Sequence, residues 1–548
     1  MSEQLPEFQK DQQQLIGEVE AAIRTADLPH ATALAREALD RGSVHPLLLH
    51  LRGHWFADQG CYDDALHDLE RARELSPTEP RIPNGIGECL LNAERYADAI
   101  DAFNAALRLW PEFPLAHRNR GFALESLGEH KLAEQAYKQA SALDPNYADP
   151  LARLAGLAAA RNDWTATGAL AQRALTIDPS NATAHFALAK AEMAAGDFAG
   201  AAVRLQSAID DPQNDALERA NASKLLGDAL DGQNRTEEAF AAYRSGNEQF
   251  RAFFEPRLRA ANTESTPVLA GRVSAYMEGT EFSAAAAGNS AHLDGASGLV
   301  FLLGFPRSGT TLLGQVLGAH SDVVTLEERF PIVEADRELL RKPGGLERLT
   351  HATEEELQHY RRSYWKYVHG FGVHVRDKVI VDKLPMHTFR LPLIARLFPE
   401  AKILFALRDP RDVVLSAFRR IFMIHAFTYE LLQLESAARL YDTMMRLREL
   451  ARPKLALDWL DVRNEDMIAD FEGETRKVCA FLNIPWQNSL RRFSESATRQ
   501  NIATPSSAQV RSGLSGAGIG YWRRYKEQLA PVLPVLEPWV ETFGYPAA

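Results

Sequence analysis

Shifted by 34 residues, the first half of the chain matches itself, and few folds accept that constraint. Pro77, Pro111, Pro145 and Pro179 are spaced by 34, and so are Ala72, Ala106, Ala140, Ala174 and Ala208. A third column holds large side chains, Tyr62, Tyr96, His130, Trp164 and Phe198. A fourth begins with Gly53, Gly87 and Gly121 and continues as Ala155 and Ala189. Small residues where two helices touch, a large residue at the turn and a proline after the second helix describe a helical pair. Such a pair cannot bury its apolar face alone, so copies must stack. Leu28, Ala31 and Ala38 fit the same phase upstream. The register slips by four at Asp210 to Asp215 and is resumed by Gly227, Ala239 and Tyr243.

These columns resemble the tetratricopeptide repeat. The resemblance implies an all-α superhelix of six to seven helix pairs over residues 10–245, with a concave face suited to a protein partner. A purely structural or homodimerising role is the alternative. Residues 246–297, rich in small and turn-forming residues, read as a linker in which Pro256 bends or ends one helix and Ala270 to Glu278 forms another. The net charge of −12 is uneven: residues 1–260 hold 26 Lys+Arg against 39 Asp+Glu, and the rest is near neutral. A basic nucleic-acid surface is therefore not expected. No apolar run reaches membrane-span length, and the first residues lack a signal-peptide pattern, so a cytoplasmic location is expected. Cys61, Cys89 and Cys479 are read as buried free thiols.

The chemistry begins at Gly298. The apolar run Leu299–Leu303 predicts a buried parallel strand. It leads into Gly304-Phe-Pro-Arg-Ser-Gly309-Thr310-Thr311 and then a helical spacing of Leu312, Leu313, Val316 and Leu317. Strand, glycine turn and helix N-terminus make an anion cradle. The spacing is that of a P-loop, yet Thr310 stands where an NTPase loop carries lysine, and the loop's cation is Arg307. The run Pro-Arg-Ser-Gly-Thr-Thr resembles the 5′-phosphosulfate loop of sulfotransferases that use 3′-phosphoadenylyl sulfate (PAPS), and the continuation through His320, Asp322, Val323 and Glu327-Glu328 resembles the tyrosylprotein branch. The resemblance covers about residues 298–530. It implies a sulfotransferase fold over 298–548, an α/β P-loop-like domain with a parallel sheet, and a PAPS-binding set that begins with Arg307, Ser308, Gly309, Thr310 and Thr311.

Further strands are expected at Lys378–Val381, Lys402–Leu407 and from Leu455 to Val462. By resemblance Lys383, just beyond the first of these, is the catalytic lysine, although its neighbours Asp382 and Leu384 depart from the family turn. The block from Arg408 to Arg420 resembles the family's 3′-phosphate fingerprint. Arg408 leaves a strand, and Ser416 and Arg420 fall four apart on one helical face, so guanidinium and hydroxyl converge on one phosphate. Thr504 to Arg511 resembles the loop that closes over the nucleotide, which assigns Ser506 and Arg511 as contacts. Asn464 and Tyr521 replace a tyrosine and a basic residue usual in relatives, and Trp522 is read as a core anchor.

Sulfuryl transfer needs a base for the acceptor proton and cations for charge developing on the leaving phosphate. The resemblance gives Glu328 the first role, and Arg307 and Lys383 the second. His320 is the alternative base, read instead as structural. No metal-ligand spacing is present and no metal is expected. The acceptor, whether protein tyrosine, peptide, saccharide, lipid or small hydroxyl compound, is not specified. Two other readings stand beside the enzyme. A P-loop kinase or NTPase is disfavoured by Thr310 and by the 3′-phosphate arginine. A non-catalytic repeat scaffold is disfavoured by the presence of every proposed polar group.

Overall fold

The computed structural model describes residues 7–260, 264–282, 293–494 and 513–547. Its first fourteen helices run from Glu7–Arg24 to Thr236–Ala260. The repeat columns explain themselves in the packing. Tyr62, Tyr96, His130, Trp164 and Phe198 each open the second helix of a pair. Ala72, Ala106, Ala140 and Ala174 are all 0% exposed at helix contacts. The glycines are there for space. A Cβ on Gly87 would lie 2.4 Å from the Phe103 ring, and one on Gly121 would lie 2.6 Å from the Tyr137 ring. One repeat later both partners have changed, to Ala155 and Ala171, so the lost bulk on one helix matches the gained methyl on the other.

The chain divides into two compact units, residues 1–159 with 163–191, and residues 192–548 with 160–162. The helices Ala216–Gly232 and Thr236–Ala260 therefore belong to the same unit as the sheet. Pro256 lies inside the second of them without ending it, and the next helix is Thr266–Gly279. Cys89 and Cys479 are buried, but Cys61 is exposed. It sits one residue before the helix Tyr62–Leu75, at a cap position that faces water.

Five strands form a parallel sheet in the order β2-β3-β1-β4-β5, with β1 Gly298–Gly304, β2 Val323–Glu327, β3 Val379–Lys383, β4 Lys402–Leu407 and β5 Asp458–Arg463. Alternate β1 residues enter different apolar clusters. Leu299, Phe301 and Leu303 pack on one face, and Val300 and Leu302 on the other. Burial on both faces is what turns the strand into a continuous apolar run. The edge strand β2 was not expected from the sequence, and it places the Glu327-Glu328 pair at the carboxyl end of the sheet. The central strand β1 lies between β3 and β4, so the sheet order reverses there, and ligands of open α/β sheets bind outside the strand ends at such a point.

Candidate active site

The loop after β1 is shaped by backbone that only certain residues tolerate. Gly304 has φ +152°, and a Cβ there would meet Ser308 Oγ at 2.5 Å and the Ala406 carbonyl at 2.8 Å. Gly309, at φ +103°, caps the helix Thr310–Gly318, and a Cβ on it would lie 2.9 Å from Asn464 Oδ1. Both positions demand glycine. Arg307 adopts φ 77°, a left-handed conformation unusual for a side-chain-bearing residue. Its Nε donates to Ser416 Oγ at 3.0 Å. Ser308 Oγ is buried with no hydrogen-bond partner among the described residues.

Next to this loop the strand β4 runs into the helix Pro410–Arg419, and the two segments enclose a cavity of about 430 Å³. Its walls include Arg307, Gly309, Thr310, Thr311, Arg408, Ser416, Arg419 and Arg420. Four guanidinium groups thus share one cavity. Burial, then the neighbouring charges of Arg420, Arg408 and Arg419, pulls Arg307 well below its ordinary value. Arg408 donates to the carbonyls of Arg307 at 3.2 Å and Gly518 at 2.5 Å, while its buried Nε has no partner among the described residues. Concentrated positive charge, an orphaned hydroxyl and a helix N-terminus fit a polyanionic ligand. The intervening Asp409 and Arg411 do something else. They pair with each other at 2.7 Å, and Arg411 stacks 4.0 Å from the Trp522 ring, which is buried as expected.

Beyond the lining of this cavity, three side chains meet at the ends of β2 and β3. Glu327 and Lys383 are register partners. Lys383 Nζ lies 2.8 Å from Glu327 Oε2 and 2.8 Å from Glu328 Oε1, and the lysine is fully buried. Burial alone would lower its proton affinity, but the two carboxylates outweigh this and raise it above the ordinary lysine value. The loop helix braces the cluster, because Gln315 Nε2 donates to Glu327 Oε1 at 2.8 Å. Gly314 gives it room, since a Cβ there would stand 3.0 Å from the same oxygen. Glu328 has φ 51°, so two of the three residues expected to act on the reacting group, Arg307 and Glu328 but not Lys383, hold left-handed backbone.

The remaining expected residues fall as follows. Arg420 lines the cavity but lies past the helix, as its cap with ψ 153°, so it does not share a helical face with Ser416. Ser506 and Arg511 lie outside the described residues. His320 is structural: its Nδ1 accepts from the Asp322 N–H at 3.0 Å, and Nε2 faces the Pro485 carbonyl at 2.7 Å. Asn464 does line the cavity, against Gly309. Sequence reasoning missed Arg419 and Asp412 as cavity residues. Asp412 accepts backbone N–H bonds from Gly520 at 2.6 Å and Trp522 at 2.8 Å and so pins the start of the turn Tyr521–Tyr525. The arginine doublet was a legible signal for Arg419; nothing marked Asp412.

The family model described as "Sulfotransferase family" matches residues 300–488, which span β1 to β5, the loop and the arginine helix. Residues 300–488 form a sulfotransferase-family domain. The tetratricopeptide repeat model matches residues 50–114, 90–148 and 186–247 upstream of the sulfotransferase domain. An uncharacterised protein of Aquifex aeolicus is 27% identical over 43% of this chain and 32% of its own length. Protein-tyrosine sulfotransferase 1 of Danio rerio is 30% identical over 36% of this chain and 56% of its own. The omega-hydroxy-beta-dihydromenaquinone-9 sulfotransferase of Mycobacterium bovis is 28% identical over 24% of this chain and 34% of its own. The chain thus spans from 32% to 56% of the length of these curated relatives. A tetratricopeptide repeat protein from Parabacteroides merdae aligns over 44% of this chain and 93% of its own at 18% identity and a TM-score of 0.36.

Proposed function

We propose that the protein transfers the sulfuryl group of PAPS to a hydroxyl acceptor. The observation that carries this reading is the clustering of Arg307, Arg408, Arg419 and Arg420 around one cavity beside a loop whose lysine position is Thr310. A nucleotide with separate 5′ and 3′ phosphate groups gives such a set more than one anion to hold, whereas ATP offers a single chain. Arg307, Ser308, Gly309, Thr310 and Thr311 would take the 5′ end, and Arg408, Ser416 and Arg420 the 3′-phosphate. PAPS supplies the activated sulfuryl group. The chain's own residues hold both ends in line, keep positive charge on the leaving phosphate and accept one proton from the hydroxyl at a Glu328 carboxylate oxygen. For Glu328 to act, its ion pair with Lys383 must open, and the freed ammonium then turns to the developing phosphate charge.

The acceptor belongs to the same proposal. Protein tyrosine and an omega-hydroxy-beta-dihydromenaquinone are the acceptors named by two relatives, and tyrosine is the first to test because the upstream repeats suit recruitment of a protein. Within the first compact unit, the first helices of neighbouring pairs share a polar ladder. Asn119 donates to Glu88 at 2.8 Å, and Arg118 donates to Asp149 at 2.5 Å, which ties consecutive pairs together through polar side chains. Incubation with PAPS carrying labelled sulfate and a lysate of the parent organism should label an acceptor. Protease and lipid extraction then sort its class. Absence of transfer, together with binding of ATP in preference to adenosine 3′,5′-bisphosphate, would return the kinase reading.

A further inference from the structure

The cavity arginines are not held by the sulfotransferase domain alone. The repeat match over 186–247 includes the helix Ala216–Gly232, and two of its acids, Asp228 and Asp231, reach the arginine pair at the cavity wall. Asp231 is buried, and its Oδ2 accepts from Arg419 Nη2 at 2.6 Å and from the Tyr521 hydroxyl. Its Oδ1 accepts from the Tyr525 hydroxyl at 2.7 Å and lies 3.2 Å from Arg524 Nη2. Asp228 lies 3.5 Å from Arg419 and 3.6 Å from Arg420, and it accepts from the Tyr243 hydroxyl at 2.7 Å. Three of these partners, Arg419, Arg420 and Tyr521, line the nucleotide cavity, whereas neither acid does.

The helix is fixed at its middle as well. Lys224, fully buried, donates to Asn247 Oδ1 at 2.7 Å and to the Phe418 carbonyl at 2.5 Å, one residue before Arg419. Asn247 donates to the same carbonyl at 3.1 Å. The end of the arginine helix is therefore clamped between a repeat lysine on its backbone and repeat carboxylates on its side chains. A fork of donors held this way loses less freedom when it meets a phosphate, and the acids offset the repulsion among four close guanidinium groups.

We infer that Asp231, seconded by Asp228, is a positioning residue of the nucleotide site, so that the repeat helix Ala216–Gly232 is part of the donor-binding apparatus and nucleotide binding is coupled to the seating of that helix. This rests on the PAPS reading of the cavity. Coupling of this kind is reciprocal: whatever loosens the helix weakens the nucleotide, and the nucleotide tightens the helix.

Two measurements with adenosine 3′,5′-bisphosphate test it. In the unaltered protein, the ligand should slow amide exchange in residues 224–232 as well as in the loop 304–313. Protection of the loop with no change in 224–232 would overturn the coupling. In Asp231→Asn, checked for cooperative unfolding, the dissociation constant should rise about tenfold or more. The KM for PAPS should rise in step while kcat stays within about threefold. A dissociation constant within twofold of the unaltered protein would reduce Asp231 to a packing role and sink the inference. If the unaltered protein does not bind the bisphosphate at all, it is the PAPS reading that fails, and this inference falls with it.

Discussion

Glu328 faces Lys383 across 2.8 Å and holds strained backbone, so its shape matters as well as its charge. Glu328→Gln keeps that shape and loses the proton acceptor. PAPS affinity should stay within a few-fold while turnover falls by about 10²–10⁴, with the larger loss on an aliphatic hydroxyl than on the more acidic phenol of tyrosine. Steady-state rates on both acceptor types check this, and near-normal turnover would mean that the base is another residue. Asp412 makes a second residue-scale prediction. Burial pushes its carboxyl up to about 6 from an ordinary 3.8, although Arg408 and two N–H donors work against the shift. Between those values the folded chain keeps a proton that the unfolded chain has released. The associated stability is present below about pH 4 and is lost as the pH rises through 6. Asp412→Asn cannot titrate there. Unfolding midpoints taken from pH 4 to 7 should therefore show the unaltered protein losing about 2–3 kcal/mol relative to the variant, whatever the constant offset between them.

At the scale of elements, the phosphate loop works because a strand and a helix are joined by residues that escape ordinary backbone limits. Gly309→Ala adds a methyl 2.9 Å from Asn464 and forces a side-chain-bearing residue to φ +103°. The strain is about 1–2 kcal/mol, and it falls on the turn that positions the first helical N–H groups. Calorimetry should show bisphosphate affinity reduced tenfold or more, with circular dichroism of the fold unchanged. Unaltered affinity would mean that the loop does not carry the anion. The edge strand β2 illustrates the opposite case. Val323–Glu327 is short and only partly buried, with a pattern that is neither a continuous apolar run nor a long alternation. Its strand state comes from pairing with β3, which a local reading does not contain.

For the molecule as a whole, the contacts between the later repeat helices and the sheet predict that the boundary of practical consequence lies inside the repeat array, not at residue 298. Phe240 stacks on Phe418 with ring centroids 5.2 Å apart, and Leu230, Ala239 and Tyr243 share an apolar cluster with the sheet. A chain starting at residue 298 uncovers that surface and strips Arg419 of both carboxylates. It should melt without cooperativity or aggregate, and it should not bind the bisphosphate. A chain starting at Glu192 keeps the compact unit and should retain binding. Scanning calorimetry and titration of the two truncated proteins decide this. Equal stability and affinity would restore the simple boundary at 298.

Periodicity and loop chemistry were legible in the sequence because each is a local rule. The helical pairs repeat a fixed pattern of small and large residues, and Gly304, Arg307 and Gly309 announce an anion loop through backbone demands that few residues meet. The strands β1, β3 and β4 were equally readable, since burial on both faces leaves an unbroken apolar run. Tertiary structure alone decided that Lys383 is sealed between Glu327 and Glu328, that Arg420 leaves its helix before reaching Ser416's face, and that Arg419 answers to Asp231, which lies 188 residues away in sequence. These are long-range electrostatic pairings. Their partners carry no shared local pattern, and each acid or arginine would read as a solvated surface charge until the fold removes the water around it.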